Sequence, residues 1–102
     1  MTSIIIRARV EPAQRRELML MFKETTQPSQ LPSACLGRRL YEEAIAPTNL
    51  LLVEEWSDAA AISSYLSSEQ FRALIGAVKV LGELVDIRIS EATVIEGGLE
   101  TT

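Results

Sequence analysis

The sequence contains no histidine and a single cysteine, Cys35. The first absence removes the commonest general base near neutral pH and the commonest protein ligand for zinc, copper and haem iron. Ser-His and Cys-His nucleophilic chemistry is therefore excluded within the chain. A lone cysteine gives neither an intramolecular disulfide framework nor a thiolate cluster for zinc, and an unpaired thiol suits a reducing compartment. Lys and Arg never run longer than two, at Arg15-Arg16 and Arg38-Arg39, and the formal net charge is −4. The basic face that phosphate neutralisation needs is missing, so no nucleic-acid partner is expected. No stretch reaches the ~20 apolar residues of a membrane span. The opening MTSIIIRARV lacks the long apolar core and small-residue cleavage site of a signal peptide. These absences predict a cytoplasmic, soluble protein with no membrane partner. Gly97-Gly98 does not make a phosphate loop.

What is present is ordinary for a globular chain: 102 residues, of which 47% are hydrophobic and 24% charged. That length predicts one domain with a real core, over residues 1–96, with 97–102 as a C-terminal tail. The most informative stretch is NLLLVEEWSDAAAISSYLSSEQF, from Asn49 to Phe71. Leu50 to Val53 are apolar on both strand faces, so both must be buried. The strand ends at Glu54-Glu55-Trp56. Ser57 offers an N-cap hydroxyl for a short helix through Ala59 to Leu66, and Ser67 with Gln70 has the spacing of a capping box for the next.

Around this unit the periodicity is regular. Ile4, Ile6, Ala8 and Val10 alternate with Ile5, Arg7 and Arg9 in a first strand. Pro12 opens a helix to about Thr26, with Leu18, Met21, Phe22 and Thr25 as its buried stripe. Met19 and Met21 are expected to fill the core. Pro28 and Pro32 stop the helix and make Gln27 to Ser33 a loop. A second strand is predicted from Ala34 to Ile45, with Leu36, Arg38, Leu40 and Glu42 on one face and Cys35, Gly37, Arg39, Tyr41 and Glu43 on the other. Cys35 reads as a small buried apolar residue. The turn Ala46-Pro47-Thr48-Asn49 makes strands two and three an antiparallel hairpin. The last helix runs from Glu69 to Leu81 on a stripe of Phe71, Leu74, Ile75, Val78 and Leu81. Gly76 within it implies close backbone packing, and Gly82 stops it. Val85, Ile87 and Ile89 mark a final strand that is expected to reach Val94-Ile95.

The order is β-α-β-β-α-β, an α+β, ferredoxin-like fold with a four-stranded antiparallel sheet and its helices on one face. The other sheet face is then bare but apolar, and a second copy of the chain is its simplest cover. A homodimer closing a barrel is the expected assembly.

The succession of leucine-rich strand, Glu-x-Trp, Ser/Asp, alanine-rich helix and Ser-x-x-Phe, with PSACLGRRLYEE (Pro32 to Glu43) upstream, resembles the antibiotic biosynthesis monooxygenase family. The resemblance covers the element order from about Ile4 to Val94. It implies a ferredoxin-like dimeric α/β barrel and a pocket between sheet and helices, lined by the tryptophan at the strand end. In that setting Trp56, Tyr65 and Glu54 are the catalytic candidates, and Arg39, Tyr41, Phe71 and Ile75 are candidates for substrate binding. Tyr65 stands where quinol monooxygenase-like members carry histidine. Ile75 stands where the haem-degrading branch has its iron ligand, and isoleucine cannot ligate. Leu52 and Ile62 replace the asparagine and tyrosine of the polyketide-oxidising members.

Each candidate has a plainer reading. Trp56 can be a packed rim residue that hydrogen-bonds its indole N–H. Glu54 can be a solvated strand carboxylate and not a base of raised pKa. Tyr65 can cap the core, and Arg39 can be ion-paired at the surface. The resemblance implies cofactor-independent oxidation of a quinol or polycyclic phenol with O₂, in which the ionised substrate itself gives electrons to oxygen. No cofactor and no metal are expected. The alternative is a non-catalytic dimeric barrel that holds a small hydrophobic ligand.

Overall fold

The computed structural model describes residues 1–97. Its elements are β1 (Thr2–Arg9), α1 (Pro12–Thr25), a 3₁₀ turn (Pro28–Gln30), β2 (Cys35–Glu42), β3 (Asn49–Trp56), α2 (Ala59–Leu66), α3 (Glu69–Leu81) and β4 (Glu83–Glu91). The four strands form one sheet in the order β2-β3-β1-β4, with every neighbouring pair antiparallel. This is the expected ferredoxin-like α+β arrangement. Of the tail expected at 97–102, residues 98–102 lie outside the described residues.

The strand alternation sorts the sheet into two faces. Ile4, Ile6 and Ala8 of β1 and Leu50, Leu52, Glu54 and Trp56 of β3 are buried beneath the helices, whereas Ile5, Leu51 and Val53 on the other face are half-buried. One core cluster joins Ile4, Ile6, Leu52 and Trp56 to Ile62 and Tyr65 of α2 and Phe71 and Leu74 of α3. A second joins Ala8, Val10 and Leu50 to Leu18 of α1 and Val78 of α3. Each buried aliphatic or aromatic side chain is worth about 1.5–3 kcal/mol of transfer free energy.

Several local details differ from expectation. β2 stops at Glu42, and Ile45 is 96% exposed in the connection. There the chain turns through Asn49 N–H to Ala46 O at 2.9 Å, which ends the ladder early. β4 stops at Glu91, and Val94 and Ile95 are exposed beyond it. Met19 faces solvent at 38%, because it lies one position off the stripe that Leu18 and Met21 follow. Cys35 is half-buried, with burial pushing its thiol pKa up.

The helix caps each move one residue. Asp58 is the N-cap of α2, its carboxylate accepting from Ala60 N at 2.9 Å, while Ser57 Oγ donates to Ala34 O. Ser68 caps α3 by accepting from Phe71 N, and Gln70 reaches across to Gln30 O in place of a capping-box return. A Cβ added at Gly76 would meet nothing within 4 Å, so close packing does not explain that glycine. At Gly82 a Cβ would come within 2.5 Å of Arg9 O and 2.8 Å of Val10 Cγ2. Gly82 is extended, so the close approach of β1 is what requires it there.

Candidate functional site

A buried polar cluster sits between sheet and helices. The hairpin register places Arg38 of β2 directly opposite Glu54 of β3. Both point to the helix side, because they alternate in step with Leu40 and Leu52. Their side chains are 1% and 0% exposed. Arg38 Nε and Nη2 approach Glu54 Oε2 at 2.9 and 2.8 Å. Tyr65 of α2 donates its hydroxyl to the same oxygen at 2.8 Å and accepts from Arg38 Nη2 at 3.1 Å. The indole N–H of Trp56 makes a long contact of 3.4 Å with Glu54 Oε1. On the far side of the guanidinium, Nη1 donates to Thr25 O at 3.3 Å and Thr25 Oγ1 at 3.1 Å, at the end of α1.

This set is closely satisfied, as a charge pair removed from water must be. Tyr65 is wedged between Trp56, with ring centroids 4.6 Å apart, and Phe71, at 5.2 Å. Burial first, and then the Glu54 carboxylate, push its phenol pKa well above the ordinary value of 10.0. Tyr65 is thus a neutral hydrogen-bonding group across the physiological range.

Beside the cluster lies a cavity of about 170 Å³ between α1, the 3₁₀ turn, β2 and α3. Met21 and Thr25 of α1, Gln30, Arg38, and Gln70, Ala73 and Leu74 of α3 line it. Gln70 Nε2 donates to Gln30 O across this region. A larger cavity of about 330 Å³ lies on the opposite sheet face, lined among others by Arg7, Arg9, Tyr41, Leu51 and Val85. Its arginines are already paired, Arg7 with Asp86 and Arg9 with Glu83. Of these two, the helix-side cavity is the better candidate site, because it adjoins the buried polar cluster through Arg38 and Thr25.

A family model described as antibiotic biosynthesis monooxygenase matches residues 1–77, three quarters of the chain and all elements through most of α3. The chain belongs to this family. No curated protein matches it. Among solved structures, a variant of SnoaB, a cofactor-independent oxygenase from Streptomyces nogalater, superposes with a TM-score of 0.77 at 16% identity, over 94% of this chain and 97% of that one. A conserved protein from Methanosarcina mazei Go1 gives 0.75 at 20% identity, over 90% and 92%. Rv0793 from Mycobacterium tuberculosis gives 0.67 at 22%, over 93% and 96%. At such identities the likeness establishes the fold.

Within this monooxygenase-family fold, the structure brings Glu54, Trp56, Tyr65 and Phe71 together in one buried cluster. Ile75 is half-buried and packs on the same core. Arg39 and Tyr41 are elsewhere: both side chains are exposed on the face away from the helices, Arg39 paired with Glu55 at 2.8 Å. The sequence placed Arg38 on the strand face opposite Arg39 and Thr25 in the buried stripe of α1, but neither was expected as a site residue. The signal for Arg38 was its place in step with Leu40 on one strand face, mirrored by Glu54 between Leu52 and Trp56 on the next strand. Leu36, expected on that face, is 56% exposed because the register shifts between Cys35 and Gly37, which turns Cys35 to the core. Among the described residues no three Asp, Glu or Cys side chains group as a metal ion would require, and no helix is long and apolar enough to cross a membrane.

Proposed function

We propose that this chain is a cofactor-independent monooxygenase that oxidises a quinol of one or two rings with O₂ in the helix-side cavity. Membership of the monooxygenase family supports the reaction class. The observation that carries the reading is the cavity itself, bounded by apolar Met21 and Leu74 and by polar Gln30, Gln70 and Arg38. That mixture matches an aromatic ring bearing hydroxyl oxygens. Its volume of about 170 Å³ favours one or two rings over a larger polycyclic phenol.

The reaction balances without an added reductant. The quinol supplies electrons to O₂; one oxygen atom bonds to a ring carbon in place of hydrogen, the other leaves as water, and the product is a hydroxylated quinone. The chain's part is to hold the ring away from bulk water and position its oxygens. Homodimerisation through the bare sheet face is part of the same proposal, with Ile5, Leu51 and Val53 as its half-buried apolar centre. The unpaired Cys35 thiol suits a reducing, cytoplasmic setting.

A second reading, a barrel that binds such a ligand without turning it over, is favoured by one observation. Glu54 does not line the cavity and already accepts from Arg38 and Tyr65, so no free base faces the ligand. Oxygen uptake with menadiol, measured against its autoxidation, separates the two. Turnover above autoxidation with one atom of ¹⁸O₂ in the quinone supports the enzyme. Binding of menadione with no turnover above background supports the binding module.

A further inference from the structure

The Arg38–Glu54 pair is a fixed dipole with a direction. Arg38 and Thr25 line the cavity, whereas Glu54, Trp56 and Tyr65 do not, so of the charged pair it is the arginine that borders the cavity. Its nitrogens are not equally held. Nε and Nη2 meet Glu54 at 2.9 and 2.8 Å, while among the described residues Nη1 has only neutral acceptors, Thr25 O at 3.3 Å and Thr25 Oγ1 at 3.1 Å. Because Coulomb energy falls with distance, a group in the cavity feels the nearer cation more than the anion paired with it.

Given the cavity reading above, we infer that Arg38 is its oxyanion-binding residue, and that the site favours the ionised form of a phenolic ligand over the neutral form. A phenolate oxygen takes the place of a Thr25 acceptor on Nη1, exchanging a neutral hydrogen bond for a charge-assisted one. The hydroxyl proton is released to solvent. The ionisable groups that face Arg38 are Glu54 from β3, Tyr65 from α2 and the Cys35 thiol of its own strand. α1 and α3 bring only neutral groups to this cavity, Thr25 and Gln70 among them. Glu54 fixes the guanidinium and tempers its field; it does not take the proton. For a substrate whose anion is the electron donor to O₂, this shift in ionisation is the catalytic contribution that a chain without histidine can still make.

The probe is 4-nitrophenol, whose phenolate absorbs in the visible, titrated across pH with the protein in excess. Binding is scored separately by equilibrium dialysis. The midpoint of the bound probe is expected to fall by about one pH unit relative to free probe, roughly a tenfold preference for the phenolate. Glu54→Gln should lower it further, since it removes the tempering anion. The double variant Arg38→Gln/Glu54→Gln removes both charges together, which buried pairs tolerate better than single loss, and should return the midpoint to the free value. Ala73→Trp, which fills the cavity, should abolish binding. A bound probe with an unchanged or raised midpoint in the wild type overturns the role of Arg38 while leaving the cavity reading intact. Absence of binding at any pH, or a shift that survives Ala73→Trp, overturns both.

Discussion

Arg38 and Glu54 face each other across adjacent antiparallel strands with side chains 1% and 0% exposed, the carboxylate gripped by two nitrogens of the guanidinium. The pair ties the sheet to two helices, because Thr25 of α1 and Tyr65 of α2 complete its hydrogen bonds. Its presence inside an otherwise apolar core shapes both stability and chemistry.

Removing one partner should therefore be far worse than removing both. Glu54→Ala leaves a buried cation without its anion and is expected to cost about 3–5 kcal/mol. Arg38→Met/Glu54→Leu, which replaces the pair by apolar bulk, should cost much less than the sum of the single changes. Urea denaturation of the wild type, Arg38→Met, Glu54→Leu and the double variant gives the coupling energy, and simple additivity would show that the pair is not a unit.

Tyr65→Phe removes the hydroxyl that donates to Glu54 and accepts from Arg38, and should destabilise by about 1–3 kcal/mol. It should also change the pH dependence. The folded state holds the Tyr65 proton more tightly than the unfolded chain, for which the ordinary value is 10.0. The associated stability is present below that pH and is lost as pH rises from there towards the higher folded value. Alkaline thermal scans should show this fall in the wild type and its absence in Tyr65→Phe.

The glycines within and just after α3 should respond oppositely. Gly82→Ala drives a methyl into the Arg9 carbonyl at 2.5 Å, backbone that cannot swing aside, so melting temperature should drop sharply. Gly76→Ala adds a methyl to open space within the helix and should stabilise by about 1 kcal/mol. Calorimetry on both variants checks the pair.

The sheet face opposite the helices should be the contact between two copies. Light scattering is expected to report about twice the chain mass of 11.3 kDa. Val53→Glu, which puts a charge at the half-buried centre of that face, should yield monomer with the helix-side core intact. A wild type that is monomeric at micromolar concentration would remove the proposed interface.

The sequence by itself determined the features that backbone period dictates. Two-residue alternation in Ile4 to Val10 and Leu50 to Trp56 and the 3.6-residue stripe of Phe71, Leu74 and Val78 depend on local geometry alone, so element order and fold class were legible. The absence of histidine was equally final. Caps were less so: Ser57 and Asp58, or Ser67 and Ser68, offer the same oxygen one residue apart, and only the path of the chain selects between them.

The tertiary structure alone decided the site. Arg38 and Arg39 are neighbours of identical chemistry, and a strand sends one to each face. Which one meets the helices depends on the pairing of β2 with β3, including its irregularity between Cys35 and Gly37. That register sets Arg38 against Glu54 and leaves Arg39 and Tyr41 on the opposite surface. Thr25 joins the cluster only because α1 ends above β2, a contact 13 residues apart in sequence. Gly76 and Gly82 likewise differ only in what lies across from them. Contacts between elements are set by packing in three dimensions, and no local periodicity encodes them.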